Sequence, residues 1–443
     1  MKLWQKNTIT SKQVEQFTVG NDRELDLQLA PFDVLGSLAH VTMLESVGLL
    51  TEKESASLCA ALKIIYREVQ DGSFKLDEGA EDIHSQVEMM LTRELGDAGK
   101  KIHSARSRND QVLVDLKLFM RSEIEKIVRS AKDLFDLLIR LSEEHKEDLV
   151  PGYTHLQLAM PSSFGLWFGA YAESLVDDLV TLQAAYTVVN KNPLGSAAGY
   201  GSSFPVNRKL TTELLGFDDL NYNVVYAQMS RGKTERIVAT ALGNIAATLA
   251  KLCMDACLFL NQNFGFISFP EELTTGSSIM PHKKNPDVFE LIRAHCNRIQ
   301  ALPSEIIMMM ANLPSGYHRD LQLIKEHLMP AFDNLHSCIE MTGLMLSNIQ
   351  IKKDILADEK YQHLFSVEAV NKLVMQGIPF RDAYRKIADE IAAGGFSIQA
   401  PVQHTHEGSI SNLCNAEIGR MMDDIIAKFQ FDRARIALQQ LLS

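Results

Sequence analysis

Six cysteines in 443 residues, dispersed at Cys59, Cys253, Cys257, Cys296, Cys338 and Cys414, are too few and too scattered for a disulfide framework. Only Cys253 and Cys257 are close, and residues one helical turn apart are badly placed for a bridge, so reduced, buried thiols are expected. Positive charge is also scarce. Against 56 Asp and Glu stand 44 Lys and Arg, a formal net charge of -12, which disfavours nucleic acid and anionic membranes as partners. An anionic ligand must therefore find a local basic pocket. No stretch reaches the ~18 uninterrupted apolar residues that would cross a bilayer, and the opening MKLWQKNTITSKQ lacks a signal-peptide core, so the cytoplasm is the expected compartment.

Glycine and proline are sparse as well, 25 and 13, and they cluster, which leaves long uninterrupted intervals. From Asn109 to Val150 neither occurs, and Val112, Leu116, Phe119, Ile127, Ala131, Leu134, Leu138 and Leu141 fall mostly three or four apart, the spacing of one helix face. Similar intervals run from Pro161 to Val189, Thr234 to Leu260, Pro286 to Asn312 with a kink expected at Pro303, and Leu321 to Ile349. Five long helices with short connections imply an all-α protein built on a bundle. Shorter helical patterns flank it, and the expected division is an N-terminal domain 1–106, a central bundle 107–353 and a small C-terminal domain 354–443. With 46% apolar residues the chain can bury a core of that size.

Four clusters carry chemistry. The segment GSSIMPHKKNPDVFELIR, from Gly276, sets a Gly-Ser-Ser loop and Lys283 and Lys284 before a helix that Asn285 can cap with Pro286 in its first turn, and free N–H groups there add to an anion site. Glu290 follows one turn on. YTHLQLAMP places Thr154 and His155 ahead of a long helix, where the His suits a structural hydrogen bond as well as catalysis. IHSARSRNDQ holds Arg106, Arg108 and Asn109; guanidinium forks suit carboxylates, and a solvated helix start is the plainer reading. PSGYHRDLQLIK brings Tyr317, Gln322 and Lys325 to a loop and helix start. The inventory suits proton abstraction beside a carboxylate. It includes no metal ligand set or nucleotide fingerprint of good quality, so no metal and no cofactor is expected.

GSSIMPHKKNP resembles the signature loop of the fumarase, aspartase and argininosuccinate lyase superfamily. HSARSRNDQV, Thr154-His155 in YTHLQ, NPLGSAAGYG and the spacing of Tyr317, Gln322 and Lys325 resemble its argininosuccinate lyase branch, from about Gly36 to Ile349. The resemblance implies three helical domains, a homotetramer with active sites shared between subunits, and elimination of fumarate from argininosuccinate to leave arginine. Carried over by residue, it implies Ser277 as the base and His155 as the acid, supported by Glu290. Lys283 and Asn285 would hold the carboxylate on the reacting carbon. Arg108, Asn109, Thr154, Tyr317, Gln322, Lys325 and Asp82 of EDIH would lie at or near the substrate. The chain departs from the pattern in LWQKN near its start, in Asp22 where a Ser is expected, and in SRGKTE, which keeps Arg231 without its acidic neighbours. Two other readings stay open: a phosphate loop in AQMSRGKT, which would need a parallel sheet, and a silent structural homologue like a lens crystallin.

Overall fold

Residues 11–77, 80–397, 402 and 404–443 are described by the structure, a computed structural model; the LWQKN stretch lies outside them. Helices α1 (Lys12–Val19), α2 (Asp22–Ser46), α3 (Glu52–Gln70) and α4 (Ile83–Leu95) make up the N-terminal part, gathered on a core of Val34, Leu38, Leu58, Leu62, Ile83 and Leu91. The five long helices follow as α5 (Arg108–Glu144), α6 (Phe164–Val189), α7 (Lys233–Leu260), α8 (Asp287–Met310) and α9 (Ile324–Ser347). Leu138, Ala172, Leu242, Cys296 and Leu335, one from each, belong to a single buried cluster, as the apolar stripes require. Helix α8 runs through Pro303.

Side-chain contacts fix the helix directions. Trp167 Nε1 and Tyr171 Oη donate to Asp255 at 3.1 and 2.6 Å, and Arg293 reaches the Met254 sulfur at 3.0 Å, so α6 and α8 begin beside the end of α7. Arg231, just before α7, donates to the Leu321 carbonyl at 3.0 Å, which sets the start of α7 beside the turn entering α9. The bundle thus has two ends. At one lie the starts of α5, α7 and α9; at the other, the starts of α6 and α8. The 24 residues of α8 separate them by about 36 Å at ~1.5 Å per residue.

The stretch ahead of α6 is not helical. Leu149–Thr154 (β1) and Gln157–Ser163 (β2) pair as an antiparallel hairpin with Pro151 opposite Pro161. Each proline lacks the N–H that a helix interior needs, so α6 starts only at Phe164, where the Ser163 hydroxyl accepts from Leu166 N at 3.1 Å. A second, two-residue pairing joins Thr275–Gly276 (β3) to Lys284–Asn285 (β4). After α9, α10 (Ser366–Met375) and α11 (Phe380–Ala392) share a small core of Val370, Ala383, Ile387 and Phe396. Helix α12 (Asn415–Ala427) returns to the bundle through Ile418 and Met422, and α13 (Phe431–Leu442) leans Leu441 on the N-terminal core. By length and composition α2 and α7 could cross a membrane, but the apolar window of α2 is 72% buried in protein and that of α7 56%.

Candidate active site

At the end where α5, α7 and α9 begin there is a cavity of about 260 Å³ lined by Asp82, Arg108, Asn109, Tyr317, Gln322 and Lys325. Local chemistry explains how they arrive. Ser107 and Asp110 form a capping box at the start of α5, presenting Arg108 and Asn109 from the first turn. Asp110 is fully buried and accepts from the backbone N–H of Ser107, Gly195 and Ala197 at 2.8, 3.0 and 2.9 Å. That carboxylate ties the Gly- and Ser-rich loop, left-handed at Gly195 and Ala197, to the cavity wall. Burial pushes Asp110 up to about 6 against those donors.

Asp82 caps α4, accepting from Ser85 N at 2.8 Å and Ser85 Oγ at 2.6 Å, and pairs with Arg108 at 3.0 Å. Burial alone would raise it; the charges on His84 and Arg108 outweigh that and hold it below the usual carboxylate range. Arg108 is engaged further by Ser85 at 2.6 Å and Glu81 at 3.4 Å, so its fork is turned toward the protein's own groups. Arg106, three residues before Asn109, is buried and donates to Ser37, away from the cavity. Gln322 lines the cavity while its amide donates to Thr18 O at 3.1 Å and Val19 O at 3.5 Å, and Arg319 donates to Thr18 O at 2.9 Å, docking α1 on the turn before α9.

Sequence reasoning missed His84, two residues beyond Asp82. Its Nδ1 lies 2.8 Å from Asp33 and 3.6 Å from Asp115, and the ligand atoms of the three side chains sit within 4.8 Å of one another, a group able to hold a metal ion. Burial opposes charge on the ring, but Asp33, Asp115 and Asp82 prevail and push His84 up to about 9, so at neutral pH a proton supplies the positive charge. The three residues come from α2, α4 and α5, and no spacing in the sequence announces them. His84→Asn is expected to cost on the order of 3–5 kcal/mol, read by urea unfolding, because buried Asp33, 2.8 Å from the ring, loses its nearest counter-charge. A folded pKa above the unfolded 6.5 gives stability that is complete below 6.5 and lost as pH rises through about 9. Thermal melts from pH 6 to 10 should show that decline in the parent and not in the variant; equal declines would rule the assignment out.

The remaining expected residues lie at the other end. Thr154 pairs with Gln157, which leaves His155 and Leu156 as a two-residue hairpin turn, left-handed at φ 54° and 59°. Such turns favour Asn and Gly, so two side-chain-bearing residues here carry strain of the sort kept at functional positions. His155 and Thr154 are exposed. Ser277 follows β3, and its Oγ accepts from the backbone N–H of Ile279 and Met280 at 3.4 and 3.2 Å. Lys284 pairs with Glu271 at 3.1 Å; Lys283 is exposed and has no ion-pair partner among the described residues. Asn285 does not cap α8: Pro286 holds the N-cap position without a side-chain bond, and the Asn285 amide donates to Gly276 O at 3.3 Å, bracing the hairpin under Ser277. Glu290 is exposed on α8, and no hydrogen bond or ion pair joins it to His155 among the described residues. One chain therefore divides the expected residues between opposite ends of its bundle. The phosphate-loop reading fails: among the described residues the strands form four short two-stranded pairings, of which only the two-residue pairing of Lys191–Asn192 with Asp219–Leu220 is parallel, and Lys233 opens a bundle helix instead of following a strand of a parallel sheet.

The family model described as "Lyase" matches residues 3–301. The chain is 62% identical over 441 residues to an argininosuccinate lyase of Bacteroides fragilis, covering 100% of this chain and 99% of that one. Among solved structures it is similar to an EDDS lyase in complex with formate (TM-score 0.75, 22% identity, covering 98% and 94% of the two chains). It is also similar to a fumarate lyase:delta crystallin from Brucella melitensis (TM-score 0.71, 18% identity, covering 91% of each); at such identities these two speak for the fold alone. Fold and family model together define a helical lyase. More narrowly, the chain belongs to the argininosuccinate lyase family.

Proposed function

We propose that this chain eliminates fumarate from argininosuccinate, releasing arginine, in a homotetramer whose sites combine the two ends of different subunits. The full-length identity to argininosuccinate lyases carries the reaction. The division of the site residues between ends about 36 Å apart supports the sharing, and an apolar helix α7 left only 56% buried in its window, with Met254 exposed, suits burial against other copies. The domains are taken as 1–106, 107–353 and 354–443, and the compartment as the cytoplasm.

Taking a proton from carbon beside a carboxylate creates a dianion, so the site must bind that species better than the substrate. Lys283, without an ion-pair partner among the described residues, Asn285 and the start of α8 supply fixed positive potential for the second charge. Ser277 takes the proton; the N–H groups of Ile279 and Met280 already aimed at its Oγ stabilise negative charge there. His155, meeting Glu290 from another subunit, donates to the departing nitrogen, and Asn109, Thr154, Tyr317, Gln322, Lys325, Arg108 and Asp82 form the substrate pocket and its support. No metal and no cofactor enters this scheme. The test is direct: purified protein given argininosuccinate should generate fumarate absorbance together with equimolar arginine. Fumarate from a different amine, or none, would favour another superfamily reaction or a silent homologue.

A further inference from the structure

AQMSRGKT forms no phosphate loop, yet it builds a cavity of its own. Gly232 is left-handed at φ 76°, and a Cβ there would meet the Met310 sulfur at 2.7 Å, so glycine lets the start of α7 close on the end of α8. Between them, beside the turn entering α9, lies a space of about 310 Å³. Arg231 lines both this space and the substrate cavity. It forms their shared wall, held by Glu235 at 2.7 Å and by the Leu321 carbonyl at 3.0 Å.

One end of the space is cationic. Arg231, Lys233 and Arg236 line it, and among the described residues no carboxylate does. Glu235 neutralises Arg231 from behind, whereas Lys233 lies over the Tyr226 ring at 5.2 Å, and neither it nor Arg236 meets a carboxylate among the described residues. Lys233 also opens a 28-residue helix whose Gly232 brings no capping side chain, and the positive end of that helix adds to the same field. Gln228 points to a ligand independently: it lines the space, is 1% exposed, and has no hydrogen-bond partner for Oε1 or Nε2 among the described residues. The Nε2 of His318, on the same lining, is buried and unpartnered too. Buried polar groups are rarely left so. The opposite wall is apolar, made by Met229, Met310, Leu313 and Pro314. We propose that this space is a binding site for a phosphate monoester with an apolar body, distinct from the site of elimination. A phosphate carries about -1.5 to -2 at pH 7, which matches Lys233 and Arg236 together, while a single carboxylate would leave one of them unmatched. Its three terminal oxygens also suffice for the helix start and the Gln228 amide. The apolar wall calls for the body, since the volume holds on the order of ten waters and a bare ion would fill only the cationic end.

The experiment is titration calorimetry on the assembled protein with three probes: phenyl phosphate, benzoate and inorganic phosphate. Phenyl phosphate should bind at least ~10-fold more tightly than benzoate, which keeps the ring and halves the charge, and at least ~10-fold more tightly than inorganic phosphate, which lacks the ring. Replacing both cations, Lys233→Ser with Arg236→Ser, should weaken phenyl phosphate by ~10-fold or more, and Gln228→Leu by about three- to tenfold. Asn109→Leu, which damages the substrate cavity, should leave it within about threefold. No saturable binding, or benzoate bound as tightly as phenyl phosphate, overturns the proposal. So does binding that Asn109→Leu abolishes and the double variant leaves alone, since the phosphate would then sit in the substrate cavity. Should the double variant fail to assemble, Lys233→Ser decides alone, because that side chain is exposed: a loss of about threefold or more supports the site, and unchanged affinity is fatal to it. Binding is read without turnover, so the outcome stands apart from the lyase reading.

Discussion

Ser277→Ala is expected to lower kcat by roughly 10³ or more while KM stays within about threefold, since a group that acts only on the proton in flight contributes to the transition state and little to ground-state binding. The substitution deletes one hydroxyl. What shapes the loop is elsewhere: Lys283 N donates to Met280 O at 3.0 Å, β3 pairs with β4, and Asn285 holds Gly276 O. Binding groups should therefore keep their places. The two N–H groups now aimed at Oγ would turn to water. Steady-state fumarate absorbance gives kcat and KM, and equilibrium binding of argininosuccinate to the variant checks that the site still fills. A variant turning over within tenfold of the parent would remove Ser277 as the base and move the search to another group at the same end.

The long helices were legible because their intervals lack glycine and proline and keep one apolar face: the expected start at Asn109 falls one residue from the observed Arg108, and Thr234 one residue from Lys233. The hairpin before α6 was not. Its residues are apolar enough to pass for a helix start, and only the facing prolines, Pro151 and Pro161, forbid it. Asn285 failed as a cap for a related reason, since the pairing of β3 with β4 recruits its amide before α8 begins. His84 escaped because its meaning lies in Asp33 and Asp115, 51 residues before it and 31 after, which only tertiary packing brings together. Motifs identified chemically capable residues one at a time; they held no information on which end of the bundle each would occupy.

That separation makes a sharper prediction than any single substitution. If a site takes its cavity from one subunit and its Ser277 loop from another, two dead chains with defects at opposite ends can rescue each other. Asn109→Leu damages the cavity wall, and Ser277→Ala damages the loop. Co-expressed, they should form mixed tetramers in which some sites join an intact cavity from the serine variant to an intact loop from the asparagine variant, raising fumarate release at least ~10-fold above either parent alone, given how little each damaged site turns over. Ser277→Ala mixed with Glu290→Gln is the control. Both lie in the loop and the first turn of α8, so every mixed site still receives one lesion and no rescue should follow. Mixed tetramers that are demonstrated but no more active than either parent would mean that one chain completes its own site, and a rearrangement spanning the length of α8 would then have to bring Ser277 to Asn109.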